Sequence, residues 1–430
     1  MSERQAPRPY SGYGLVRSER VDEAMLRVGR GTPGGEYLRR FWQPLMLAKE
    51  LADLPLPVKL LGEELVVFRD KGGRIGLLHR FCSHRNASLE FGLVRERGLQ
   101  CCYHGWHYDV DGTILDIPGD PNGDYLRRQF CHGAYPTREY KGIIFAYMGP
   151  PEAMPDFPLY DFMEMPDQDM IPIVFRSPVN WVHVRENTQD PIHVSFLHTM
   201  FADPQFGPWS YDLPAIQWAE TPIGQITSST RWVDGFLYAR VNELILPNFS
   251  RVPDISLDFG KQRPTPRRNG LSLWITPFDD LSCAMIGWAH FDHAMGEAER
   301  AQHWAMFTFG QDGSRSYEGR HRLPGDWDAW VSQGKFAIHD NEHLVHSDGG
   351  VKLFRKQLRE GIKAVERGKD PKGIIRGANG PVPSYGGNYW KAMPEKPADD
   401  VRWDVLKAFS RESMAATLKG RHEALPKAAE

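Results

Sequence analysis

The chain runs to 430 residues, beyond the size at which one hydrophobic core ordinarily suffices, so two domains are expected. Its 52 basic and 55 acidic side chains leave a formal charge of -3, which gives neither the basic field of a nucleic-acid binder nor a membrane-directed patch, and no apolar run approaches the length of a spanning helix. Five cysteines, an odd and small number, argue against a disulfide scaffold, and the polar start over 1–14 has no apolar signal core, so a cytoplasmic protein is expected.

In chain order, Thr32-Pro33-Gly34-Gly35-Glu36 followed by Tyr37-Leu38 predicts a helix start, with Thr32 as N-cap and Pro33 in the first turn. Residues 59–68 and 75–81 carry β-forming side chains on either side of Asp70-Lys71-Gly72-Gly73, which predicts a hairpin. Two mixed ligand pairs come next, Cys82-Ser83-His84 and Cys101-Cys102-Tyr103-His104-Gly105-Trp106. Each offers one thiolate and one imidazole, so Cys82 and Cys101 can hold one iron of a [2Fe-2S] cluster while His84 and His104 hold the other. Imidazoles in place of two thiolates remove negative charge and raise the reduction potential above that of an all-cysteine cluster. A single tetrahedral zinc is the alternative for the same four side chains, but zinc sites usually pair Cys with Cys and His with His along the chain. The stretch Tyr108-Asp109-Val110-Asp111-Gly112 then reads as a turn, and Cys131 and Cys283 as inert packing residues. An extended stretch over 142–148 ends at Gly149-Pro150-Pro151, and the Pro-rich run to Pro158 reads as a linker closing a first, mostly β domain.

Beyond it lies Asn187-Thr188-Gln189-Asp190-Pro191-Ile192-His193-Val194-Ser195-Phe196-Leu197-His198. Asn187, Asp190 and His193 follow at a spacing of three and form one polar stripe on a helix. His198 lies five residues past His193, about 140° away on an ideal helix, so the two imidazoles meet only if Pro191 or a π-bulge distorts it. Two imidazoles and a carboxylate make the facial triad of non-haem iron sites. Asp326, Asp328, Asp340, Glu342 and Asp348 all offer that carboxylate, spacing does not choose among them, and Asp326 also reads as a helix N-cap. Asn187 reads either as a hydrogen-bonding neighbour of the metal or as an ordinary helix-end residue. Further on, 225–232, 237–246, 271–276 and 283–290 are expected as strands, and 351–367 as a closing amphipathic helix.

From about residue 31 to 358 the chain resembles the Rieske non-haem iron oxygenases, in particular the α subunits of the phthalate dioxygenase and aromatic O-demethylase group. Three motifs carry the resemblance: Gly31-Thr32-Pro33-Gly34 with Arg39-Arg40-Phe41-Trp42-Gln43-Pro44, the two cluster loops, and the Asn187/Asp190/His193/His198 segment. The family's ligand Asp precedes steps that stand here as Gln333-Gly334, Glu342-His343-Leu344 and Ser347-Asp348, which implies Asp326 rather than Asp328 as the third iron ligand beside His193 and His198. Two departures stand out. Cys102 occupies a position commonly Pro, with Cys101 keeping the Cys-x-x-His step, and Ile338-His339 replaces an Asp-Arg, removing any salt bridge that Arg makes in relatives.

The resemblance implies an α+β fold: an N-terminal antiparallel β Rieske domain over 31–155 after an extension over 1–30, then a helix-grip catalytic domain with a large antiparallel sheet over 156–400 and a tail over 401–430. It implies a Rieske [2Fe-2S] cluster, a mononuclear non-haem Fe(II), and electrons from a separate NAD(P)H-dependent reductase, used with O2 to hydroxylate an aromatic substrate, expected to be an aromatic acid. Asp190 matches the residue that bridges a cluster histidine, His104 of a neighbouring subunit, to His193; its carboxylate is expected to fix the tautomer of His193, and a homotrimer follows. Arg176, Arg185, Arg231 and Arg240 are available for a substrate carboxylate. O-demethylation of a methoxylated aromatic is the alternative reaction. A Rieske-type electron carrier is the alternative of another class, and the His193/His198/Asp326 set argues against it.

Overall fold

In the computed structural model of the protein, which describes residues 9–200, 205–206, 210–253, 269–291 and 295–419, Thr32 Oγ1 accepts from Gly35 N at 3.1 Å and Pro33 opens the helix Pro33–Leu38. The extension ahead of it is not peripheral, because Met25, Leu26 and Val28 are fully buried in the main core. Residues 1–8 of that extension, and 420–430 of the expected tail, lie outside the described residues.

Among the described residues the N-terminal part holds three small antiparallel sheets: Trp42–Leu47 with Ile143–Tyr147 and Thr137–Tyr140; Leu56–Leu60 with Glu63–Arg69 and Ile75–His79; and Leu93–Val94, Leu99–Gln100, His107–Tyr108 and Ile114–Asp116. The hairpin expected around Asp70 forms, its turn closed by Asp70 Oδ1 accepting from Arg74 N at 2.8 Å. Its first arm is shorter than 59–68. Leu61 and Gly62 stand at φ 48° and 79° and turn the chain back on itself, so Lys59 belongs to the preceding strand. The Pro-rich run is tied down rather than a free linker: Trp42 Nε1 donates to Pro155 O at 3.2 Å, Asp156 N donates to Ile375 O at 3.0 Å, and Phe157 packs edge-on against Trp42 and Phe145.

The C-terminal part is built on an eight-stranded antiparallel sheet among the described residues. Its order is Met170–Ser177, Ser282–His290, Asn269–Asp279, Phe249–Pro253, Phe236–Ile245, Gly224–Val233 and Ala215–Thr221, with Gly387–Ala392 also alongside Phe236–Ile245. The four expected strands and the helix Gly349–Glu366 are all present. That helix meets Pro33–Leu38 where Gly361 faces Tyr37; a Cβ at Gly361 would sit 2.4 Å from the ring, so a side chain there would push the helices apart. The stretch expected as a tail contains a helix, Arg402–Lys419, whose Leu406 and Phe409 pack with Ala215, Leu237 and Ala239 of the sheet. Cys283 is buried as expected. Cys131 is exposed, because the inward position is taken by its neighbour His132. The architecture is α+β, a small-sheet N-terminal domain followed by a large antiparallel sheet gripped by helices, and no described helix is long and apolar enough to cross a membrane.

Candidate active site and metal centres

Two tight loops hold the cluster-type residues. In the first, Cys82 N donates to Ala87 O and Asn86 N to Cys82 O, both at 2.9 Å; in the second, Cys101 N donates to Trp106 O at 2.8 Å and Gly105 N to Cys101 O at 3.1 Å. Gly105 stands at φ 76°, where a Cβ would also strike Pro118 at 2.9 Å. Cys82 and Cys101 are 1% and 3% exposed, whereas Cys102 is exposed, which separates the two adjacent cysteines. His84 is exposed and its ring lies 4.5 Å from that of His104, centroid to centroid, with Trp106 stacked on His84 at 5.0 Å. The two thiols face inward and the two imidazoles outward, a donor set that fits a mixed-ligand [2Fe-2S] cluster. Tyr108 OH lies 2.9 Å from Cys82 Sγ, and His132, which donates from Nε2 to His79 O at 2.8 Å, accepts from Ser83 Oγ at 2.7 Å.

The second constellation does not sit on one helix. Helix Trp181–Asn187 ends, Asp190 and Pro191 break the chain direction, and Ile192–Ser195 restarts it, so the expected continuous stripe is divided. A π-helical turn over Phe196–Met200 supplies the distortion that brings His198 beside His193, with rings 5.1 Å apart. Asp326 arrives from the first turn of the helix Asp326–Ser332. It is not the cap: Gly325 is, and Asp328 folds back to accept from Gly325 N at 3.0 Å while pairing with Arg315 at 2.9 Å and Arg320 at 3.3 Å. Asp328 is thereby consumed, and Asp326 faces the imidazoles.

The geometry defines a metal-sized niche: ligand atoms of His193, His198 and Asp326 all lie within 4.8 Å of one another. Asp326 Oδ1 is 3.2 Å from His198 Nε2 and 3.8 Å from His193 Nε2. Each ring is oriented from behind. His193 Nδ1 donates to the backbone carbonyl of Asp190, and His198 Nδ1 donates at 2.7 Å to Gln205 Oε1, whose own amide nitrogen donates to Met306 O at 2.9 Å. Both Nε2 lone pairs are therefore turned toward the same point. The carbonyl, not the expected carboxylate, fixes the His193 tautomer; the Asp190 side chain instead accepts from Ile192 N at 2.9 Å, leaving its other oxygen 3.8 Å from His193 Nδ1. Asn187 Nδ2 donates to Asp326 Oδ1 at 3.3 Å, and Gln311 Nε2 to Asp326 Oδ2 at 2.8 Å. Burial works to raise the Asp326 carboxyl, yet His198, His193 and Gln311 hold it well below the usual carboxylate range. Burial likewise works against a charged His198, and Asp326 overcomes it, whereas burial prevails at His193 and depresses it. Gln205 and Gln311 escaped the sequence reading, since a lone glutamine has no local signature.

The niche opens into a cavity walled by apolar side chains, among them Phe175, Phe206, Leu273, Met285, Phe307 and Trp330, with Arg240 and Asn242 as further polar lining. The four arginines part company here. Arg176 is an exposed partner of Glu50; Arg185 is buried on Ser250 Oγ and Phe249 O; Arg231 is buried on Asp212 O and Ser195 Oγ; Arg240 lines the cavity. Glu186, His339 and Glu342 also bring ligand atoms within 4.8 Å of one another, but the Arg355 guanidinium pairs with both carboxylates, at 2.5 Å and 2.7 Å, and occupies the place of a cation. Arg355 thus gives Glu342 an ion pair although Ile338-His339 stands where the resemblance implied an Asp-Arg.

Residues 41–136 match the Rieske [2Fe-2S] domain family. The chain is 36% identical to the tert-butanol monooxygenase / tert-amyl alcohol desaturase oxygenase subunit of Aquincola tertiaricarbonis, over 94% of this chain and 91% of that one. It is 37% identical to phenoxybenzoate dioxygenase subunit alpha of Ectopseudomonas oleovorans, over 82% and 87%. Among solved structures, the Pseudomonas putida CBB5 NdmA QL mutant with theobromine shares the fold with a TM-score of 0.59 at 21% identity, over 77% of this chain and 93% of that one. Likeness to oxygenase subunits along so much of both chains makes this protein a member of the Rieske non-haem iron oxygenases, an enzyme with a Rieske [2Fe-2S] cluster and a mononuclear iron.

Proposed function

We propose that Cys82 and Cys101 hold one iron of the cluster and His84 and His104 the other, that His193, His198 and Asp326 hold the mononuclear iron, and that the enzyme hydroxylates an aromatic acid. The observation that carries this reading is the convergence of two Nε2 atoms and one carboxylate oxygen at the floor of an apolar cavity. Iron held there, supplied with electrons through the cluster from a separate NAD(P)H-dependent reductase, provides reductive activation of O2. The chain's own residues do the rest. The Asp190 carbonyl and Gln205 keep both imidazoles in the metal-binding tautomer, the aromatic and aliphatic walls exclude water and take the ring, and Arg240 with Asn242 takes the carboxylate end. Asp190 holds His193 through its carbonyl and offers its part-exposed carboxylate to His104 of a neighbouring copy, a bridge between subunits of a homotrimer. The cluster domain spans 31–155 and the catalytic domain 156–400.

Metal analysis tests the assignment. Wild-type protein is expected to hold about three irons per chain, and Asp326→Ala about two, with the visible spectrum of the cluster unchanged. Two irons in the wild type would indicate an electron carrier, and retention of the third in Asp326→Ala would move the ligand to another carboxylate. Turnover of aromatic carboxylates, methoxyarenes and tertiary alcohols, scoring hydroxylated product against formaldehyde, then separates aromatic hydroxylation from O-demethylation and from the alcohol chemistry named for the Aquincola relative.

A further inference from the structure

Gln311 lies in the loop after the helix Glu297–Thr308 and Asp326 opens the helix Asp326–Ser332, yet each directly follows a glycine, and those two glycines press against each other. A Cβ on Gly310 would stand 2.6 Å from Gly325 Cα, and a Cβ on Gly325 would stand 2.3 Å from Gly310 Cα. Gly310 is also at φ 69°, a left-handed conformation that L side chains rarely adopt. The contact is sealed by Trp327 N donating to Gly310 O at 2.9 Å and flanked by the Arg315–Asp328 ion pair at 2.9 Å. Backbone therefore meets backbone one residue before each polar side chain, and the pair Gln311/Asp326 is set by the chain itself rather than by flexible side-chain packing.

The two carboxylate oxygens of Asp326 are consequently not equivalent. Oδ1 faces His198 Nε2 at 3.2 Å and His193 Nε2 at 3.8 Å and takes only a long bond from Asn187 Nδ2 at 3.3 Å, whereas Oδ2 receives Gln311 Nε2 at 2.8 Å. An ionised carboxylate only accepts, so the glutamine amide nitrogen must be the group facing it. We infer that Gln311 is a positioning residue that restricts Asp326 to a single donor oxygen, Oδ1, toward the mononuclear iron. Gripping through both oxygens would consume one more metal position; holding Oδ2 back keeps three of six sites free for O2 and substrate. The inference rests on the assignment of His193, His198 and Asp326 as iron ligands.

The test uses iron-loaded, full-length protein. A crystal structure of the wild type should show one Asp326 oxygen on the iron and the other on Gln311. In parallel, nitric oxide added to enzyme with an oxidised, diamagnetic cluster gives a paramagnetic signal from the mononuclear Fe(II) alone, and its rhombicity should change in Gln311→Met, which keeps the length but loses the donor, with the third iron still present. Wild-type protein lacking a third iron would sink the ligand assignment itself. A third iron held by both Asp326 oxygens in the wild type, or an unchanged nitric oxide signal in Gln311→Met, would overturn the role of Gln311 and leave the ligands standing.

Discussion

Arg240 and Asn242 are two positions apart on the strand Phe236–Ile245, so alternation places both on one face, and that face is the cavity. Arg240 donates to Pro253 O at 3.2 Å, which steadies the guanidinium, while Asn242 Oδ1 is buried with no hydrogen bond among the described residues. A substrate carboxylate in the cavity would gain a charge-assisted partner in Arg240. Arg240→Gln is therefore expected to raise KM for an aromatic acid by about 10- to 100-fold, with kcat little changed and a neutral methyl-ester analogue unaffected. Steady-state kinetics on the acid and ester decide it; equal losses on both would assign Arg240 to the architecture of the site. At this scale the sequence displays whatever is local. The mixed Cys/His pairs and the His193/His198 spacing are readable because each ligand pair lies within one loop or turn. Gln205 lies only seven residues past His198 but has no pattern to mark it, while the carboxylate, Arg240 and Gln311 come from distant segments that the sheet and the Gly310/Gly325 contact bring to one cavity.

Glu63 ties together four segments of the cluster domain. Its carboxylate lies 2.7 Å from Arg39 Nη1, accepts from Tyr135 OH at 2.6 Å and stands 3.4 Å from His79 Nε2. Burial alone would raise this carboxyl, but His79, Tyr135 and Arg39 outweigh it and bring it down to about 2. Because the folded pKa is depressed, the stabilisation is complete above the unfolded value near 4.5 and is lost as pH falls from there toward 2. Glu63→Gln is expected to cost up to about 3 kcal/mol at pH 7 and much less at pH 3, since one pKa unit corresponds to roughly 1.4 kcal/mol. Urea unfolding followed by tryptophan fluorescence at the two pH values checks it, and an equal loss at both would exclude the ionic origin. Elements were legible where pattern and punctuation agree, as in 225–232 and 237–246 on either side of Asp234-Gly235. The helix Arg402–Lys419 was not, because its buried face includes Ser410, Ser413 and Thr417, so no apolar stripe announces it. The single polar stripe through Asn187 and His193 failed for the opposite reason: the periodicity was real but Asp190-Pro191 ends the helix between them.

For the whole molecule, one residue of each proposed metal centre reaches the surface. His84 is exposed at the tip of its loop, and the Asp190 side chain beside His193 is 33% exposed, so each can be reached by another copy of the chain. If electrons pass from the cluster of one copy to the iron of the next, two different lesions should complement each other. On the proposed ligand assignment Cys101→Ser is expected to remove the cluster and Asp326→Ala the mononuclear iron, and each alone should abolish turnover. Co-expressed with different affinity tags and purified through both, the mixed oligomer contains chains with an intact cluster beside chains with an intact iron site. In the proposed homotrimer, a ring built from two kinds of copy has one junction at which a good cluster meets a good iron, so about a third of wild-type turnover per trimer is expected. Transfer within a single chain predicts none, because no chain in the mixture keeps both centres. Turnover by the doubly tagged species, with iron content matching its composition, therefore separates transfer between copies from transfer within one.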